Sequence, residues 1–93
     1  MSTSSIQSYS AEVRTAPLQT KAFPAGSDAA AALVTARSWV EETARAFLAE
    51  HSLPRNPWEV GAIFAGDSAR EPLAELTIYT SDGEYVFGWD DQR

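Results

Sequence analysis

The chain has no cysteine, so neither disulfides nor thiolate metal sites are available and the fold must rest on packing. No apolar run approaches the roughly 20 residues that cross a bilayer, and Met1 to Ser10 lacks the basic start and hydrophobic stretch of a secretory signal. A soluble, cytoplasmic protein without membrane contact is therefore expected. The five glycines (Gly26, Gly61, Gly66, Gly83 and Gly88) are scattered, and no run of them forms a phosphate-binding loop. No nucleotide or other cofactor is expected. Basic residues are few and unclustered, with seven Lys and Arg against thirteen Asp and Glu, a net charge of −6 and a pI near 4.5. That balance speaks against direct nucleic-acid binding, which needs clustered cations on the phosphate backbone.

What is present is a globular composition: 44% hydrophobic and 22% charged residues in 93, enough for one small core and too short for two. The charge is unevenly placed. Met1 to Arg55 balances Glu12, Asp28, Glu41, Glu42 and Glu50 with Arg14, Lys21, Arg37, Arg45 and Arg55. Asn56 to Arg93 sets Glu59, Asp67, Glu71, Glu75, Asp82, Glu84, Asp90 and Asp91 against Arg70 and Arg93 alone, and so carries the whole net charge.

Residues 1–7 are Ser-rich and poor in apolar side chains, which predicts a disordered start, with residues 8–93 forming one domain. Alternation of Tyr9, Ala11 and Val13 with polar residues predicts a strand over Ser8–Arg14, and Leu18–Phe23 is expected to return as a second. Pro24-Ala25-Gly26 breaks the pattern, Ser27 stands where a helix N-cap is expected, and Asp28 opens the first turn. From Asp28 to His51, residues Ala29, Leu33, Ala36, Val40, Ala44 and Phe47 share one stripe of a helix, flanked by Arg37, Glu41 and Arg45. Leu53-Pro54 and Asn56-Pro57 end it. Trp58, Val60, Ala62 and Phe64 then alternate with Glu59, Gly61 and Ile63 as a strand with one apolar face, followed by a polar loop from Ala65 to Pro72.

Leu73–Thr80 and Tyr85–Trp89 read as a hairpin around Asp82-Gly83. Its two-residue turn pairs Ser81 with Glu84, Thr80 with Tyr85, Ile78 with Phe87 and Leu76 with Trp89. The fold class expected is α+β, a small antiparallel sheet packed on one long helix in the order ββαβββ. Its core is expected to comprise Leu33, Ala36, Val40, Ala44, Phe47, Trp58, Val60, Phe64, Leu76, Ile78, Phe87 and Trp89.

No motif names a reaction. His51, the only histidine, falls in the last helical turn and is read as a helix-end residue rather than as a general base. Glu75 and Asp90 face each other across the hairpin with Asp91 next in sequence. Such a cluster either guards a strand end with charge or accepts basic side chains from a partner; as a metal site it supplies too few ligands. Tyr79, Val86 and Gly88 make an apolar spot with a notch, rimmed by acids that include Glu84, unless a further element such as the N-terminal strands covers it. Trp39 lies off the main stripe, as a shoulder of the core or an exposed anchor.

Glu75, Tyr79, Glu84, Val86, Asp90 and Asp91 are thus the candidate partner-binding residues, with no catalytic or metal residue among them. The function expected is non-catalytic binding to a protein with a basic surface, in the manner of immunity or anti-defence inhibitors of nucleic-acid-handling enzymes, a likeness of class only. A structural or assembly subunit pairing as a homodimer is the alternative, and a small enzyme is the third reading.

Overall fold

The computed structural model describes residues 8–24, 26, 28–65 and 72–91, so the expected disordered start at 1–7 and the expected cap Ser27 lie outside the described residues. Six elements follow one another: β1 (Ser8–Val13), β2 (Gln19–Pro24), α1 (Ala29–Glu50), β3 (Trp58–Ala65), β4 (Ala74–Ser81) and β5 (Glu84–Asp91). The strands form one antiparallel sheet in the order β2-β1-β3-β4-β5, with α1 on one face. This is the α+β, ββαβββ arrangement that the periodicities predict.

The connectivity dictates where the helix lies. β2 and β3 both pair with β1, on opposite sides, so the chain leaving β2 must cross over β1 before β3 begins. The helix is that crossover, and its small-residue stripe rests on β1. Asp28 caps it, one residue later than expected: its carboxylate accepts the Ala31 amide at 3.1 Å. The first turn then holds no acid. The buried stripe is Ala32, Ala36, Val40 and Ala44; Leu33 and Phe47 are half-buried shoulders, and Ala29, expected inside, is exposed. At the far end the His51 amide donates to the Phe47 carbonyl at 2.9 Å and closes the helix.

β3 departs from simple alternation. A bulge between Glu59 and Gly61 places an extra residue opposite β4, and the Val60 carbonyl accepts the Arg14 amide beyond the end of β1. The parity of the strand changes at that point. Trp58, Gly61 and Ile63 face the helix, while Ala62 and Phe64 turn to the other face, the reverse of the expected arrangement for all of these but Trp58. Both are nevertheless buried, Phe64 at 7% exposure. Gly61 is needed there: a Cβ would stand 2.6 Å from the Glu12 carbonyl oxygen and 2.9 Å from Val40 Cγ1.

The helix-side core is Tyr9, Ala11, Val13 and Phe23 from the first hairpin, the helix stripe, then Trp58, Val60, Ile63, Leu76 and Ile78. Val13, Val40, Val60, Ile63, Leu76 and Ile78 are fully enclosed, each worth about 1.5–3 kcal/mol of burial. Phe87 and Trp89 are half-buried against this core rather than inside it. Trp39 is a shoulder, its ring 5.9 Å from that of Phe23.

Candidate functional site

The hairpin that carries the candidate residues is set by its turn. Asp82 (φ 54°) and Gly83 (φ 80°) both occupy the left-handed region, the type I′ geometry whose twist matches the flanking strands. From that turn the register runs as predicted through Ser81 with Glu84, Thr80 with Tyr85, Tyr79 with Val86, Ile78 with Phe87, Thr77 with Gly88, Leu76 with Trp89 and Glu75 with Asp90. Leu76, Ile78, Phe87 and Trp89 therefore turn to the helix, and Glu75, Thr77, Tyr79, Val86, Gly88 and Asp90 to the opposite face, which carries no helix among the described residues.

On this helix-free face Tyr79 is 41% exposed beside the half-buried Val86. The first hairpin extends the sheet instead of covering the face, which removes the covering role considered for the N-terminal strands. Gly88 leaves the expected notch, since a Cβ there would meet nothing nearer than the Thr77 carbonyl oxygen at 3.9 Å. Four residues along each strand, about 13 Å at ~3.3 Å per residue, lie Glu75 and Asp90. Each takes part in a further interaction within the chain. Glu12 and Glu59 continue the acidic surface across β1 and β3, where Arg14 binds the Glu12 carboxylate at 3.0 Å and reaches the Glu59 carbonyl at 3.2 Å. Glu84 sits at the exposed hairpin tip, and Asp91 pairs with Ala74, out of step with Asp90 by one residue. Five of the six candidates, Glu75, Tyr79, Glu84, Val86 and Asp90, thus share one face by register, with Glu84 at its turn end.

The opposite side of β5 meets the helix through side chains that straddle the core edge. The Arg45 guanidinium lies 4.2 Å from the Phe87 ring centre, Arg37 lies 5.2 Å from that of Trp89, and the Trp89 indole N–H donates to the Glu41 carboxylate. Arg37, Glu41 and Arg45 are spaced four apart, which stacks them along one helix flank. Beyond them a groove of about 470 Å³ opens between α1 and the hairpin, bounded by Arg45, Leu48, Ala49, Glu84, Tyr85 and Phe87. Tyr85 is 43% exposed there. Periodicity did not single this groove out, because it lies between a helix flank and an edge strand whose separation no local pattern fixes; the signal was an aromatic beside the turn.

His51 lines a separate open cleft of about 700 Å³ with Thr15, Gln19, Glu42 and Glu50. Its ring packs on Phe47 at 4.6 Å between centres, and the side chain is exposed. Thr15 Oγ1 in this cleft donates to the Pro17 carbonyl and accepts from Gln19, so its hydroxyl is already committed. No group of three or more His, Asp or Glu among the described residues is placed to hold a metal ion. No described helix is long and apolar enough to cross a membrane. No family model matches the chain, and no curated protein or solved structure matches it either.

Proposed function

We propose that this protein is a non-catalytic binding module that docks its acidic, helix-free sheet face on a basic surface of another protein, as an inhibitor of a nucleic-acid-handling partner would. The observation that carries the reading is Tyr79 beside Val86 and the Gly88 notch, exposed on a face whose other outward side chains include Glu12, Glu59, Glu75 and Asp90. An aromatic anchor with an acidic rim suits a cationic partner: the anchor supplies desolvated contact and the rim supplies steering.

Charge reversal tests it. Glu75→Lys with Asp90→Lys keeps a like-charged pair across the strands while inverting the local field. Glu42→Lys with Glu50→Lys makes the same change of net charge on the exposed helix surface, away from this face. Glu41 is unsuitable as a control because it holds the Trp89 indole. With an Arg-rich peptide as probe, followed by NMR of the labelled protein, the parent and the helix variant are expected to shift at Thr77, Tyr79 and Gly88, and the sheet variant is not. Equal binding by both variants would leave the acidic face as a solvated surface only.

A further inference from the structure

The two edges of the sheet are built differently. β2 carries Lys21 and ends in Pro24, two of the devices that keep an edge from pairing with other chains. β5 has no proline and carries its charges only at its ends: between Glu84 and Asp90 it reads Tyr85-Val86-Phe87-Gly88-Trp89, regular, unbulged and uncharged. Because the type I′ turn makes Ser81 and Glu84 a bonded pair, the ladder to β4 uses the backbone groups of Val86, Gly88 and Asp90. Those of Tyr85, Phe87 and Trp89 point away from β4, and β5 pairs with no other strand among the described residues. This outward row borders the groove between Leu48, Ala49 and Tyr85.

We infer that β5 accepts an extended segment of the partner as a sixth strand, one that alternates apolar with basic residues. The inference rests on the proposed docking function and names its mode. An added strand has one set of side chains on each face of the sheet. On the helix side they meet Tyr85 and the groove, which suits apolar residues; on the other they run between Glu84 and Asp90, which suits Lys or Arg. A second copy fits less well. In a two-fold pairing centred on Phe87 each Glu84 falls opposite Asp90 of the other copy, and two chains of net charge −6 repel.

The probe is a capped peptide of alternating Arg and Val, as long as β5, compared with a Glu-Val peptide and with an Arg-Val peptide N-methylated at every second residue. Saturation with the Arg-Val peptide is expected to slow amide exchange at Tyr85, Phe87 and Trp89 by at least about tenfold, against little change at Val86 and Gly88, which the ladder already holds. Neither control peptide is expected to do so. Tyr85→Pro, which removes an outward N–H and no ladder bond, is expected to abolish binding with the fold retained. Shifts at Thr77 and Tyr79 without edge protection would overturn the added strand and leave the acidic face standing, whereas no binding at all would overturn both. Protection that grows with protein concentration in the absence of peptide would overturn it in favour of a second copy.

Discussion

Two glycines of the sheet show how one residue type does opposite work. Gly61 faces the helix between β1 and α1, and a β carbon would collide at 2.6 Å with the Glu12 carbonyl oxygen, which only a strand movement can displace. Gly61→Ala is therefore expected to lower stability by about 1–3 kcal/mol, as overpacking does. Gly88 lies on the open face with 3.9 Å to its nearest neighbour, so Gly88→Ala is expected to raise stability by about 0.5 kcal/mol through relief of glycine's backbone entropy. Urea midpoints of the two variants measure both. A tolerated Gly61→Ala would mean that the helix can ride up from β1, and a destabilising Gly88→Ala would mean that the notch is not open. At the helix end, the cap is the backbone N–H of His51, which any residue but proline supplies; its ring adds only the contact with Phe47.

The hairpin was legible in full because every piece of its register follows from two turn residues and a period of two, and the helix was legible because a 3.6 period over 22 residues admits little else. β3 was half legible. Its bulge inserts one residue, and after that residue each side chain changes face, so Ile63 takes the place expected for Ala62 and Phe64; only the glycine at 61 hinted at it. Strand order was not legible, because it follows from the crossover of the helix over β1, a long-range pairing without a local signature. Of the candidate site, the outward pairs Tyr79–Val86 and Glu75–Asp90 came from register alone, whereas the groove depended on how the helix flank sits against the hairpin, a tertiary placement without a local signature. The link between helix and edge strand can be measured. Arg45→Ala with Phe87→Leu, singly and together, is expected to give a coupling of about 0.5–1 kcal/mol in a urea double-mutant cycle, the size of a partly exposed cation–π contact. A coupling indistinguishable from zero would mean that Arg45 merely passes over the ring.

Across the whole molecule, folding turns an asymmetry of sequence into one of space. The balanced first half supplies β1, β2 and α1, and the acidic second half supplies β3, β4 and β5; Glu75, Asp82, Glu84, Asp90 and Asp91 lie on β4, β5 and their turn with no Lys or Arg among them, so five acids gather at one edge of the sheet. Two salt effects of opposite sign follow. Crowded like charges repel in the folded chain, and screening them from about 10 mM to about 150 mM salt, as the Debye length falls from about 30 Å to about 8 Å, is expected to raise the unfolding free energy by about 0.5 kcal/mol. If the acidic face docks on a cationic partner as proposed, the same screening weakens the field that steers it, so the association rate with an Arg-rich peptide is expected to fall over the same range. Urea unfolding and stopped-flow binding in matched buffers read the two quantities. Stability that falls with salt would mean that the acids are held by attraction to the chain's own arginines, a rim already satisfied and with little field left for a partner. Stability that rises while association slows is the pattern of a flank whose charge is kept for another molecule.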